Sequence, residues 1–292
     1  MTAIAEICAD KARIDAATFA HAYAREHCHT YAENQTCAWY HGSWQFLRLL
    51  DLVSTPVAHA FHYDRQLEEI SQDSRFKNIL VSGSADAGLV KTIYEAYLHR
   101  NAEINLSVID ICPTPLKICR KYAASAGIPI TTLEQDILDG LPADSFDAIF
   151  THSFMGYFDD DNRQLLIRQW SNSLRKGGRL ITVQRIRENY AGDFVRFSDH
   201  EIENFVARAT ELLRDASTVD LEPFDIVSMA RQFAENFRNY PVRSADQLRS
   251  MLENAGFKLN MFEQQTTLGT AGVTGPSVPN SAGFYLIVAE RK

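Results

Sequence analysis

From residue 78 onward, short apolar runs alternate with helical patterns, and that alternation leaves few folds open. Strands are predicted at 78–82, 105–110, 129–133, 146–152, 178–184, 257–265 and 282–290. The first five are separated by helices, which demands a parallel sheet with right-handed crossovers. The last two have only the loop 267–281 between them, rich in Gly, Thr, Ser and Pro. They should pair antiparallel at the sheet edge. The expected fold is α/β, a mostly parallel seven-stranded sheet with an antiparallel last strand.

The flanking regions read as helical. Residues 1–76 repeat apolar positions at three and four, and should form a helical cap or lid. Its helices are expected near 11–34 and 43–72, broken near Gly42 and Pro56. The sheet domain should run over 77–292, with a helical insertion at about 186–243. That insertion carries amphipathic patterns near 199–215 and 224–239, and a further helix is expected around 244–255.

The first strand opens the stretch NILVSGSADAGLV, from Asn78 to Val90. Strand, small-residue turn, helix is a nucleotide-type arrangement. Small side chains at Gly83, Ser84 and Ala85 let backbone approach a ligand, and the helix start offers unpaired N–H groups. Asp110 ends the second strand, roughly 20 residues beyond Gly88, where an acid can accept both hydroxyl hydrogens of a ribose. A helix cap is the plainer use of the same residue. Asp136 follows the third strand and can accept from an adenine amino group, with Ile137 packed on the ring. The fourth strand, FDAIF, runs into Thr151-His152-Ser153-Phe154, at the sheet's carboxyl edge. His152 there is a candidate base or positioning group. In LRKGGRLITV, Gly177-Gly178 should supply the turn into the fifth strand. A dinucleotide site is disfavoured, because Asp86 would put negative charge into a turn meant for a pyrophosphate.

Composition narrows the partners. A net charge of -8, with no Lys/Arg run, argues against nucleic acid and anionic membranes. The N-terminus lacks the long apolar core of a signal peptide, and no stretch approaches the roughly 20 apolar residues of a membrane span. Five cysteines, an odd number, suit reduced thiols in a cytoplasmic protein. His27, Cys28, His29, Cys37 and His41 resemble a zinc set, but lack CxxC or HxxxH spacing, so no metal site is assigned.

Taken together, the loop after strand one, Asp110, Asp136-Ile137, the FDAIF strand and LRKGGRLITV resemble the class I S-adenosylmethionine-dependent methyltransferases, with their seven-stranded Rossmann-like sheet. The resemblance covers about 78–292. It implies S-adenosyl-L-methionine as cofactor, ribose on Asp110, and adenine near Ile111, Asp136 and Ile137. It places the methionyl part along Gly83, Ser84 and Ala85 and near Ser153. It implies methyl transfer to O or N of a small molecule, with His152, Tyr157 and Tyr40 as candidate catalytic groups.

One position departs from the family pattern. The acid that normally stands two residues before the first loop glycine is Val81 here. Without it, other groups must hold the methionyl end. The aromatic segment Trp39 to Trp44 is the candidate lid, with Tyr40 or Trp44 facing the sulfonium and Arg48 pairing the carboxylate. Helix packing is the plainer role for the same rings. The missing acid also suits a second chemistry, in which the cofactor's own unprotonated amine attacks its γ-carbon. The products are azetidine-2-carboxylate and methylthioadenosine. A catalytically silent binding module is the third reading.

Overall fold

The structure is a computed structural model, and it describes residues 11–29, 36–53, 55–215, 221, 223–265 and 282–292. The expected loop at 267–281 and Cys8 lie outside the described residues. The helices are α1 (Lys11–His27), α2 (Ala38–Leu49), α3 (Ala60–Ile70), α4 (Gly88–His99), α5 (Pro113–Ala126), α6 (Asp160–Ser173), α7 (Asp199–Asp215), α8 (Ile226–Asn236) and α9 (Ala245–Asn254). The strands are β1 (Asn78–Ser82), β2 (Asn105–Asp110), β3 (Ile130–Glu134), β4 (Phe146–His152), β5 (Leu174–Arg187), β6 (Phe257–Gln265) and β7 (Ala282–Arg291).

The seven strands form one sheet in the order β3-β2-β1-β4-β5-β7-β6. β1 to β5 are parallel, and β7 runs antiparallel to both β5 and β6. The strand order reverses at β1, which lies between β2 and β4. The crevice beyond the carboxyl ends at such a switch point is where open α/β sheets take ligands.

The chain divides into two compact units, one drawn from 1–55 and 194–238, the other from 56–193, 239–269 and 278–292. This division differs from the boundary expected at 76/77. α3 joins the sheet unit because its Tyr63, Leu67 and Ile70 share a buried cluster with Ile79, Val81, Phe150 and Val183. The inserted helices α7 and α8 group with α1 and α2, because Phe205, Ala209, Ile226 and Phe233 share a cluster with Phe46, Leu47 and Leu50.

Two glycine readings change. Gly42 does not break the helical region; it lies inside α2. Its bare Cα lets α1 pack closely, with His21 Nδ1 3.2 Å from the Gly42 carbonyl oxygen. Gly177-Gly178 lie within β5, where the register against β4 jumps from Phe146–Leu174 to Ala148–Arg179. Gly177 has φ +79°, and a Cβ on Gly178 would lie 2.8 Å from the Arg175 carbonyl oxygen. They therefore serve a bulge rather than a helix-to-strand turn.

Candidate active site at the carboxyl edge of the sheet

The nucleoside-type residues gather at the ends of β1, β2 and β3. Asp110 Oδ2 accepts from the Ser84 amide at 3.0 Å, and Oδ1 accepts from the Cys112 amide at 2.8 Å. The carboxylate thus ties the loop after β1 to the entrance of α5. It is not the N-cap of α5; that position is Cys112, which makes no side-chain cap bond. A carboxylate offers about four acceptor sites, so holding two amides is compatible with gripping a diol. Asp136 Oδ1 accepts from the Leu138 amide at 2.9 Å and caps the short turn Ile137–Asp139. The Gln135 amide donates to the Asp110 carbonyl at 3.1 Å, which locks the two acid-bearing ends together. Ile111 is 43% exposed beside them. Ile137 corrects the expectation of a ring platform. It is 5% exposed and packs inward with Leu80, Ile109 and Leu166.

The loop after β1 is self-supporting. Ser84 Oγ donates to the Asp86 carbonyl at 2.5 Å, and Asp86 Oδ1 accepts from the Gly88 amide at 2.6 Å. Asp86 therefore holds an α4 N-terminal amide that a pyrophosphate would need. Gly83 has φ +70°, and a Cβ there would overlap the Phe154 ring. Its missing side chain makes room for Phe154, which stands two residues beyond the end of β4. Val81 is fully buried among apolar neighbours, so packing has replaced the usual loop acid. Asp110, Asp136 and Ile111 fit the nucleoside half of S-adenosylmethionine. Buried Val81 and the covered Gly83 do not reproduce the usual hold on its methionyl half.

A different chemistry stands at the ends of β4 and β5. The Tyr63 hydroxyl lies 2.8 Å from the Thr151 carbonyl oxygen and 3.0 Å from His152 Nδ1. An oxygen–oxygen contact that short needs a proton between, and Tyr63 has one. Its oxygen must then accept from His152 Nδ1–H, which leaves the lone pair on Nε2. Nε2 of His152, His59 and His62 are all buried without a hydrogen-bond partner. The His59 ring lies 5.5 Å from that of His152 and 4.6 Å from Phe284. Burial first, then the charges of His59 and His62, push His152 down to about 3. Burial likewise pushes His62 down to about 4, against a hydrogen bond with the Thr182 backbone, and lowers His59. The trio is neutral near pH 7. Only His152 was legible in advance.

Ser153, next in line, adopts φ +50°, a left-handed conformation that costs a residue with a Cβ about 1–2 kcal/mol. Such strain collects at working sites. Tyr157, 47% exposed, ends the turn Phe154–Tyr157.

The aromatic segment is not an open loop. Residues from Ala38 onward form α2, and its rings pack on Phe233 of α8. Ring centroids lie at 6.0 Å for Trp39, 5.9 Å for Tyr40 and 6.4 Å for Trp44. One face of each of these rings is taken by helix pairing, the plainer of the two roles expected for them. Trp44 Nε1 is buried without a partner. Arg48 stands in the last turn of α2, where a cation suits the helix's carbonyl end.

A family model described as a methyltransferase domain matches residues 84–178. No curated protein matches. Among solved structures, an S-adenosylmethionine-dependent methyltransferase from Clostridium acetobutylicum overlays with TM-score 0.51 at 12% identity, over 84% of this chain and 96% of its own. The apo methyltransferase SibL gives 0.49 at 17% identity, over 98% and 70%. The 1,6-didemethyltoxoflavin-N1-methyltransferase of Burkholderia thailandensis gives 0.48 at 12%, over 78% of each chain. No helix among the described residues is long and apolar enough to cross a membrane. With the matched domain, the strand order and the reversal at β1, the chain has a class I S-adenosylmethionine-dependent methyltransferase-like fold.

Proposed function

We propose that the protein binds S-adenosyl-L-methionine at the ends of β1 to β3 and methylates O or N of a small molecule. The observation that carries this reading is the Asp110 carboxylate, fixed by the amides of Ser84 and Cys112 beside the switch point. When bound, the cofactor supplies an electrophilic methyl carbon on a sulfonium. Asp110 takes the ribose hydroxyls, and Asp136 and Ile111 take the adenine. Phe154, seated on Gly83, offers its face to the cationic end, an attraction of about 0.5–2 kcal/mol. His152 Nε2 accepts a hydrogen bond from the acceptor and so aligns its nucleophile, which is the larger part of catalysis in such a displacement.

Full proton transfer to His152 is opposed by burial and by two neighbouring imidazoles. The site therefore suits an acceptor that arrives deprotonated, or that sheds its proton after attack. Tyr157, on the turn after His152, borders the same edge. Arg48 and Trp44 have no part in this reading.

The test is incubation with methyl-labelled S-adenosylmethionine, alone and with panels of small O and N nucleophiles. Label should move only when an acceptor is present, with S-adenosylhomocysteine as co-product. Methylthioadenosine and a cyclic amino acid from the cofactor alone would replace methyl transfer with internal cyclisation. Tight binding without turnover in any mixture would favour a silent module.

A further inference from the structure

Of the five residues that lack zinc-type spacing, Cys28, Cys37 and His41 come together in the helical unit. Cys37 precedes the first residue of α2 and His41 lies four positions on, so one helical turn sets their side chains on one face. Cys28 follows the last residue of α1. The ligand atoms of Cys28, Cys37 and His41 all lie within 4.8 Å of one another. Cys28 Sγ is 3.5 Å from His41 Nδ1. That separation is what zinc would impose. With Zn–S about 2.3 Å and Zn–N about 2.0–2.1 Å, the S···N edge of a tetrahedron is about 3.6 Å. His27 does not join them; its ring stacks on Tyr23 at 3.9 Å.

We infer that Cys28, Cys37 and His41 form a zinc site that clamps the end of α1 to the start of α2. Two thiolates and an imidazole are a borderline-soft set that selects zinc over magnesium or calcium. Neither cysteine is in a disulfide. On binding, both thiols release their protons to solvent and the imidazole binds through Nδ1 as the neutral ring. Three donors fill three tetrahedral positions and leave the fourth to water or a further donor. The clamp fixes the helix that carries Trp39, Tyr40 and Trp44.

The experiment is titration of the full chain, stripped of metal and reduced, with Co²⁺ and then Zn²⁺. Wild type should take up one equivalent of Co²⁺ with thiolate-to-cobalt charge-transfer absorption that zinc abolishes. Native mass spectrometry should find one zinc per untreated chain. Cys37→Ser and His41→Ala should each weaken binding at least about 100-fold, while Cys119→Ser, in the other unit, leaves it unchanged. The wild-type titration stands even if a variant fails to fold. No charge-transfer absorption in wild type, binding unaffected by loss of Cys37, or a Cys28–Cys37 disulfide in the native protein would each overturn the assignment.

Discussion

At the ends of β1 to β3 the polar side chains are carboxylates, and backbone amides hold them. At the ends of β4 and β5 they are neutral imidazoles whose Nε2 atoms are buried and unpartnered. Asp110 and Asp136 make three amide contacts of 2.8–3.0 Å, so the first edge is built before any ligand arrives. His152 has one ring nitrogen fixed by Tyr63 and the other, Nε2, buried with its lone pair unpaired. The first region is held in place by the backbone, as the proposed nucleoside site requires. The second keeps a strained Ser153 and lone pairs in a water-poor setting, which is costly to stability and useful for aligning a reactant.

The difference shows first in acid. A histidine with a lowered native pKa binds fewer protons folded than unfolded. Its contribution is therefore intact above about pH 6.5 and is lost as pH falls toward about 4 for His62 and about 3 for His152. At pH 5 each should cost up to about 2 kcal/mol relative to pH 7. Urea melts at the two pH values measure this, and the double variant His62→Gln/His152→Gln should flatten the dependence. An equal slope in both proteins would remove the neutral trio.

Next in size is Gly83→Ala. The positive φ and the Phe154 ring together should lower stability by about 2–3 kcal/mol. The companion change Phe154→Ala should restore part of the loss. A variant as stable as wild type would mean that Phe154 does not rest on the loop.

Tyr63→Phe sharpens the comparison at the reacting edge. It removes the proton shared with Thr151 and frees the His152 tautomer. Stability should fall by about 1–2 kcal/mol. Turnover should drop while affinity for S-adenosylhomocysteine, read by calorimetry, stays put. Loss of both together would dissolve the separation of the two edges.

The smallest effect is expected from Ser153→Gly. Relief of the left-handed backbone should stabilise by no more than about 1 kcal/mol. Turnover should fall as the edge loosens. A thermal melt and a rate measurement suffice, and a less stable variant would show that Ser153 is not strained.

How far these features could be read in advance follows from the reach of the interactions. The seven strands were visible because apolar and β-branched runs alternate with helical patterns and turn residues along the chain. Asp110 was visible because its place after strand two is fixed by local chain length. His59, His62 and Tyr63 were not, since they approach His152 from about 90 residues away in the chain, His59 from the turn before α3 and the other two from α3, whose pattern signals only amphipathicity. The bulge at Gly177 depends on pairing with β4. Phe154's seat on Gly83 depends on two strand ends becoming neighbours. The aromatic run at 39–44 reads two ways for a related reason. Tryptophan and tyrosine suit both a lid and a helix interface, and their packing on Phe233 is a contact that local sequence does not announce.

The central claim is that Asp110 grips the nucleoside of S-adenosylmethionine, and calorimetric titration with S-adenosylhomocysteine tests it most directly. Wild type should bind, NAD should give no heat because Asp86 occupies the α4 amide, and Asp110→Ala should lose about 1.5–3 kcal/mol, or roughly 10- to 150-fold in affinity. An Asp110→Ala protein that folds and binds S-adenosylhomocysteine as tightly as wild type would contradict the account.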